Sequence, residues 1–287
     1  MQFLSRFRAL FVLIRVPDYV KNLFIFSPLL FSKQFLDINS LMQSAVAFGA
    51  FCVGASSVYI FNDLMDLKRD RMHHTKSKRP LAAGDLRVWE AVSVLLLFYA
   101  MLVAGVIYNP PLFLIIISYV FLNILYSIFF KRKPVFDIFF IASGFVLRVY
   151  AGGVSIGTGV SSWMFIVTLS LALYLASIKR RQELLKSGSD TREVLGIYTV
   201  PLLTKYAELS AACTIVFYSL FIALVKPNLI ITVPFMLFGI YRYWYNVEAL
   251  GGGESPTEVL LTDRVLQGTL ILWTFISAWA IMYEGEI

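Results

Sequence analysis

Nine apolar runs, each long enough to cross a lipid bilayer, divide this sequence of 287 residues. A transmembrane helix needs about 20 largely apolar residues, and it must satisfy its backbone polar groups internally because lipid offers no hydrogen bonds. The sequence therefore predicts an all-α, polytopic membrane bundle of about nine transmembrane helices, forming one integral-membrane domain over residues 1–287. The predicted helix cores are 19–36, 41–61, 88–108, 111–130, 135–156, 161–179, 205–225, 228–247 and 266–283.

Composition agrees with a lipid environment and excludes several other classes of protein. Hydrophobic residues make up 59% of the chain and charged residues 15%, whereas soluble domains have roughly 45–50% and 25%. No nucleic-acid partner is expected, because apolar runs interrupt the basic residues and prevent a basic stripe on one water-facing surface. Cys52 and Cys213 lie inside apolar runs and are interpreted as small buried hydrophobes.

The basic residues are unequally divided between the two sets of loops. Of the 25 Lys and Arg residues, only Lys33 and Lys226 fall on one side, and Arg148 lies within a span. Cytoplasmic loops carry the excess of Lys and Arg, so we expect the N terminus and every long polar loop to be cytoplasmic in a multi-pass protein of the inner (cytoplasmic) membrane. The predicted active-site loops are about 62–87, 131–134, 180–204 and 242–264.

Three acidic residues, Asp63, Asp66 and Asp70, directly follow the second apolar run. On one helix they would fall within an arc of about 60°. Carboxylates this close repel one another unless a cation joins them, and hard oxygen ligands suit Mg²⁺. The spacing predicts a magnesium site with these residues in the catalytic role. A solvated helix end, paired with neighbouring Lys and Arg residues, is the alternative.

Three basic residues and a histidine near the acidic cluster are candidate phosphate ligands. Lys76, Lys78 and Arg79 can neutralise phosphate oxygens that a metal does not reach, although they also fit a simple positive-inside loop. His73 is a candidate phosphate contact, or a solvated loop residue.

Two of the predicted spans carry polar side chains on one face. In the fourth, Tyr119, Asn123, Ser127 and Lys131 recur at four-residue spacing with Tyr126 beside them, which indicates a row facing the bundle interior.

In the fifth span, Arg148 lies about 16 Å along the helix from Asp137. An intramembrane arginine needs a counter-charge, which a substrate phosphate would supply. A buried protein side chain is the alternative partner.

The motif Asn62-Asp63-x-x-Asp66-x-x-x-Asp70, placed after the second span, resembles the metal-binding motif of the UbiA superfamily of intramembrane prenyltransferases. Members that use prenyl diphosphates carry a second, acidic motif after the sixth span. This chain has Lys179-Arg180-Arg181-Gln-Glu183 there, with one acid and three bases. Such a site suits substrates with more negative charge, although interfacial anchoring would also explain the three basic residues.

The chain is similar over most of its length to the polyprenyl-phosphate phosphoribosyltransferase branch of that superfamily. His74 and Tyr19 depart from the residues usual in the branch, which suggests a divergent member. The similarity is carried by Arg15, Lys21-Asn22, Asn62 to Pro80, Tyr126-Ser127, Lys131-Arg132, Asp137, Gly144-Phe145, Arg148, Gly152-Gly153, Ser162-Trp163, Lys179 to Glu183, Arg192, Tyr198 and Pro256 to Arg264.

The resemblance implies Mg²⁺-dependent transfer of a 5-phosphoribosyl group from 5-phosphoribosyl 1-pyrophosphate to a polyprenyl phosphate, with release of pyrophosphate at the cytoplasmic membrane face. Two alternatives stay open: a prenyltransferase acting on an aromatic or glycerophosphate acceptor, which would need an acidic second motif, and a transporter, for which repeat symmetry is typical. The implied substrate-binding residues are Lys21, Asn62, His73, Lys76, Arg79, Tyr126, Lys131, Arg148, Lys179 and Arg180.

Overall fold

A computed structural model describes residues 2–72, 76–187, 193–253 and 255–283, and every regular element in these ranges is helical. The all-α prediction is therefore confirmed. The α-helices are α1 (Gln2–Leu13), α2 (Ser27–Phe31), α3 (Ile38–Met65), α4 (Leu67–Arg71), α5 (Pro80–Ala83), α6 (Val88–Tyr108), α7 (Pro110–Leu125), α8 (Phe136–Ser155), α9 (Ser162–Ser187), α10 (Val200–Val225), α11 (Val233–Ala249), α12 (Pro256–Thr262) and α13 (Arg264–Met282). Short 3-10 helices cover Val16–Phe26, Gln34–Leu36, Lys76–Lys78, Glu193–Gly196 and Pro227–Thr232, and Tyr126–Phe130 forms a π-helix.

Seven helices within the described ranges are long and apolar enough to cross a membrane. Many large hydrophobic side chains on them are exposed, for example Ile107 and Phe275, as expected for surfaces that face lipid. The seven correspond to seven of the nine predicted spans, so the membrane bundle is confirmed and the number nine is not. They are Ile38–Met65, Val88–Tyr108, Pro110–Phe130, Phe136–Ser155, Ser162–Lys186, Val200–Val225 and Arg264–Met282.

Prolines account for the two predicted spans that differ. Residues 19–36 are divided between the 3-10 helix Val16–Phe26, the short α2 and a turn at Lys33, where φ is +63°. Residues 228–247 begin as a 3-10 helix and continue as the shorter α11. The four helices in these two regions each have proline in the first turn. A first turn tolerates the missing N–H of proline, but a proline at that point prevents the preceding segment from continuing as one α-helix.

Close backbone approach fixes the first 3-10 helix against the bundle. Gly152 on α8 lies against the backbone of Ile25, and a Cβ at this glycine would collide with the Ile25 carbonyl group. Ile25 itself is fully buried, in a core shared with Phe51 of α3 and Ile116 of α7. The absence of a side chain at Gly152 thus allows the 3-10 helix Val16–Phe26 to pack inside the bundle.

The ends of several helices meet at one polar end of the bundle. Ser127, after α7, hydrogen bonds to Asn62 near the end of α3, and Arg180 of α9 reaches Asp137 at the start of α8. Arg15, between α1 and the first 3-10 helix, joins the same end through Asp63. The acidic and basic motifs of the sequence therefore come together there.

Candidate functional site

The acidic motif spans a break between two helices. α3 ends at Met65, Asp66 is its C-terminal cap with φ −89° and ψ 1°, and α4 begins at Leu67. The expectation of three carboxylates on one face of a single helix is therefore wrong. Because the helix is interrupted at Asp66, this side chain turns toward Lys131, whereas Asp63 and Asp70 both face Arg79.

Asp63 and Asp70 form a buried carboxylate pair held by one guanidinium group. Arg79 Nη1 lies 3.0 Å from Asp63 Oδ1 and 2.6 Å from Asp70 Oδ2. The exposed fractions of the two aspartates are 3% and 2%. Arg15 Nη2 donates a second hydrogen bond to Asp63 Oδ1, at 2.6 Å. The guanidinium groups offset the repulsion between these two adjacent carboxylates.

The position of Arg79 Nη1 provides a test of whether a metal fits this site. Among the described residues, no three His, Cys, Asp or Glu side chains lie together as a complete ligand set. Asp63 and Asp70 nevertheless share a single cationic nitrogen, so a small cation in its place would contact both carboxylates. Mg²⁺ prefers one or two carboxylates and leaves its other positions to water and phosphate oxygens. The donor set fits that preference.

Asp66 belongs to a second ion pair at the edge of the same cluster. Lys131 Nζ lies 2.6 Å from Asp66 Oδ2. Burial alone would raise the pKa of the Asp66 carboxyl, but the hydrogen bond and charge of Lys131, with the charges of Arg69 and Lys76, hold the pKa below its ordinary value. Asp66 is thus an ionised partner for Lys131 at neutral pH.

The π-helix Tyr126–Phe130 carries the partners of the acidic motif. Lys131 N donates to the carbonyl of Tyr126 at 2.8 Å, which is the five-residue hydrogen bond of a π turn. Ser127 Oγ donates to Asn62 Oδ1 at 2.6 Å. The wide turn therefore places Ser127 in contact with Asn62 and Lys131 in contact with Asp66.

Arg180 lies in the interior, with 1% of its surface exposed. Its Nε and Nη1 atoms each lie 2.6 Å from a carboxylate oxygen, of Asp137 and Glu183 respectively, and Nη2 donates to the Tyr126 hydroxyl at 3.0 Å. Its neighbour Arg181 points elsewhere, to Glu248 and Thr204. Lys179 is half-buried and has an interaction partner.

Asp137 also anchors the chain in front of α8. The Tyr198 hydroxyl donates to Asp137 Oδ1 at 2.7 Å and accepts the backbone N–H of Val135 at 2.6 Å. Val135 has φ +69°, a conformation that a β-branched residue rarely adopts. Burial is the largest cause that raises the pKa of Tyr198, and the hydrogen bond to Asp137 raises it further, so this hydroxyl keeps its proton.

Arg148 lies deep in the bundle among uncharged groups. Its guanidinium donates to Asn22, to the Gly144 carbonyl and to the Tyr119 hydroxyl, and it packs over the ring of Phe51. These are buried protein partners, the alternative left open for it. Phe51 is twelve residues before Asp63 on α3, or about 18 Å along the helix, so Arg148 is set apart from the acidic cluster. Its role as a phosphate ligand stays a prediction.

Lys21, another candidate ligand, pairs with a carboxylate outside the acidic motif. Its Nζ pairs with Asp18 at 2.6 Å, and Asp18 also accepts a hydrogen bond from Thr257 of α12. This contact joins the first 3-10 helix to α12. His73 lies outside the described residues, and Lys76 is half-buried with an interaction partner.

Most of the candidates thus meet at one end of the bundle, together with residues that sequence reasoning left without a role. Arg15, Glu183 and Tyr198 complete the ion pairs and hydrogen bonds of the site. Arg15 is within a basic N-terminal segment, where the positive-inside rule already explained it, and Tyr198 is 61 residues from Asp137. Local spacing offered no signal for either contact.

Known proteins are similar to this chain over most of its length. The family model for the UbiA prenyltransferase family matches residues 25–255. A decaprenyl-phosphate phosphoribosyltransferase from Corynebacterium glutamicum is 33% identical over 93% of this chain and 85% of its own length. A protein of the same name from Mycobacterium tuberculosis is 30% identical over 91% of this chain and 90% of its own length.

Solved structures show the same fold at lower sequence identity. A UbiA homolog from Archaeoglobus fulgidus bound to DMAPP and Mg²⁺ superposes with a TM-score of 0.71 at 19% identity, covering 95% of this chain and 98% of that chain. A family model matches most of the chain, relatives are 30–33% identical over more than nine-tenths of it, and the fold is shared. The chain belongs to the UbiA prenyltransferase family.

Proposed function

We propose that this protein transfers a 5-phosphoribosyl group from 5-phosphoribosyl 1-pyrophosphate to a polyprenyl phosphate and releases pyrophosphate. The observation that carries the proposal is the buried carboxylate pair, Asp63 and Asp70, set among Arg15, Arg79 and Lys131. Such a site can hold both a cation and several phosphate groups. The relatives named decaprenyl-phosphate phosphoribosyltransferase support the choice of substrates.

Asp63 and Asp70 are the proposed Mg²⁺ ligands, with Asp66 and Asn62 at the edge of the site. When bound, the metal would act as a Lewis acid that stabilises the departing pyrophosphate. Through that cation, the two carboxylates would fix the position of the diphosphate relative to the sugar. Their burial also limits access of water, which strengthens each electrostatic contact in the site.

The basic residues around the carboxylates are the proposed phosphate ligands. Arg79 and Lys131 are only partly buried and border the acidic residues. Lys76, whose charge lowers the pKa of Asp66, and Lys179, next to Arg180 in the sequence, are further proposed ligands. A phosphate monoester carries between one and two negative charges at pH 7, so the lipid phosphate needs no general base to become a nucleophile. Positioning and charge neutralisation would then supply most of the rate.

The second motif favours this chemistry over prenyl transfer. The residues expected to form a second acidic metal site are basic here, and the remaining acid, Glu183, is already paired with Arg180. A prenyl diphosphate would lack its second metal. We further propose that this polar end of the bundle faces the cytoplasm, where a water-soluble sugar phosphate is available, and that the N terminus lies on the same side.

The test is a pyrophosphate-release assay on the purified protein in lipid vesicles with Mg²⁺. We expect release from 5-phosphoribosyl 1-pyrophosphate only when polyprenyl phosphate is added. Release from a prenyl diphosphate with an aromatic or glycerophosphate acceptor would instead support prenyl transfer. Uptake of a labelled solute without chemistry would support a transporter.

Removal of the carboxylates tests the residue assignment in the same assay. Asp63→Asn and Asp70→Asn should each lower kcat at least about 100-fold, because the charge that holds the cation is lost. Asp85→Asn is the matched control, since Asp85 is an exposed aspartate in the loop after α5. Full activity of both variants would rule out the proposed metal ligands.

A further inference from the structure

Arg180 has almost no exposed surface with which to bind a substrate, although it belongs to a basic motif. Its exposed fraction is 1%, and its Nε, Nη1 and Nη2 atoms all donate to protein oxygens. Loss of activity in a variant would not distinguish a phosphate ligand from a residue that supports the site from inside. The contacts of Arg180 do distinguish these two roles. Those contacts lead from α9 toward the acidic motif.

The first link runs through Tyr126. Arg180 Nη2 holds the Tyr126 hydroxyl at 3.0 Å, and Tyr126 is the first residue of the π-helix. The next residue, Ser127, donates to Asn62 of the acidic motif, and Lys131 directly after the π-helix pairs with Asp66. Displacement of Tyr126 would therefore move both contacts to the motif.

The second link holds the other end of the same turn. Asp137, which accepts from Arg180 through Oδ2, binds Tyr198 through Oδ1, and Tyr198 accepts the N–H of Val135. Residues 126 and 135 are thus both connected to one buried ion pair, with Lys131 midway between them. The unfavourable φ of Val135 is retained because Tyr198 holds it.

We propose that Arg180 is a positioning residue: with Asp137, Glu183 and Tyr126 it fixes the turn from Tyr126 to Val135, and so sets how Ser127 and Lys131 hold the metal-binding motif. The inference rests on the proposed function for the identity of the metal site. The motif that is acidic in prenyl-diphosphate-using relatives would here support the first site rather than form a second one.

The test measures metal binding without substrate, using Mn²⁺ as the probe and its electron paramagnetic resonance signal as the readout. Mutation of a residue that orients a metal ligand typically lowers metal affinity 10- to 100-fold. We expect Tyr126→Phe and Arg180→Lys each to weaken Mn²⁺ binding about 10-fold. Arg181→Lys is the matched control, because the adjacent arginine contacts Glu248 and Thr204 instead, and it should bind as the wild type does.

A double-mutant cycle separates positioning from general damage. If Arg180 acts through the π-helix, Tyr126→Phe and Arg180→Lys together should weaken Mn²⁺ binding less than the product of their single effects, because both interrupt one path. Independent effects would overturn the proposal, as would wild-type Mn²⁺ affinity in both Tyr126→Phe and Arg180→Lys. Tyr126→Phe deletes one hydroxyl group and leaves the buried ion pairs intact, so it keeps the test decisive if Arg180→Lys does not fold.

The outcomes also distinguish this proposal from the proposed function. Wild-type protein that binds Mn²⁺, with weakened variants but no phosphoribosyl transfer, would leave positioning intact and remove the function. Active wild-type protein whose variants bind Mn²⁺ normally would do the reverse. Wild-type protein that binds no Mn²⁺ at all would overturn both the metal assignment and the inference.

Discussion

Two arginines that are 64 residues apart meet at one carboxylate oxygen of Asp63. Arg15 has a left-handed backbone conformation with φ +55°, and Arg79 is the residue directly before α5. Neither contact follows from local spacing, because each depends on how separate helices pack. Sequence reasoning identified the three aspartates and the nearby cations, but the pairing of each cation required the fold.

At the residue scale, Asp66 gives a prediction for pH dependence. Its pKa is lower in the folded protein than the ordinary value of about 3.9, so its ion pair stabilises the fold fully above that value and loses the contribution as pH falls through the folded pKa. The difference in thermal unfolding midpoint between the wild type and Asp66→Asn should stay constant from about pH 7 to pH 5 and shrink below about pH 4. A difference that already shrinks between pH 7 and pH 6 would contradict the assignment.

Tyr198 gives a second prediction at this scale. Tyr198→Phe removes the acceptor of the Val135 N–H and one donor to Asp137, which should cost about 1–3 kcal/mol because the buried carboxylate loses a partner. Hydrogen exchange of the peptide that covers residues 131–137 should become faster. Tyr150→Phe serves as control, since Tyr150 is partly exposed on α8, and unchanged exchange in Tyr198→Phe would show that Val135 is held by other contacts.

At the scale of elements, apolar length predicted most helices and proline positions explain the exceptions. The seven long helices follow their apolar runs, because a run of that length has no other way to satisfy its backbone in lipid. The π-helix at Tyr126–Phe130 had no such signal: the polar residues of the fourth span recur at four-residue spacing, which fits an ordinary helix. It is a tertiary feature, held by Arg180 and by the contacts to the acidic motif.

The approach of the first 3-10 helix to α8 gives a prediction for this scale. Gly152→Ala places a methyl group against the Ile25 carbonyl, so the two elements must separate, at a cost of about 1–3 kcal/mol. A fall in the thermal unfolding midpoint in detergent measures this. Gly49→Ala is the helical control, because a Cβ at Gly49 meets no atom within 4 Å, and it should leave the midpoint unchanged or raise it.

At the scale of the whole molecule, charge is concentrated at one end of an apolar bundle. The helix ends that carry the acidic motif, the π-helix and the Arg180 cluster all contact one another. The basic loops predicted this gathering from sequence, since the positive-inside rule and the demands of a phosphate site both favour it. Only the ion pairs seen in the structure show which basic residues belong to the candidate site and which are explained by membrane topology alone.

Cysteine labelling tests the proposed orientation in the membrane. In a variant with Cys52 and Cys213 replaced, a membrane-impermeant maleimide added to intact cells should label a cysteine at Tyr108 and leave one at Lys133 unlabelled. Tyr108 is 89% exposed at the end of α6, and Lys133 is exposed in the loop after the π-helix. The reverse pattern would place the N terminus outside the cell.

The guanidinium of Arg79 between Asp63 and Asp70 also has a thermodynamic consequence. A divalent cation that takes the place of this group contacts both carboxylates, and the displaced arginine then needs an anion, which a diphosphate supplies. Metal and diphosphate should therefore bind with positive cooperativity, each lowering the dissociation constant of the other by the same factor. In the absence of a sugar diphosphate, a higher concentration of the divalent cation should therefore be needed to displace Arg79 than in its presence.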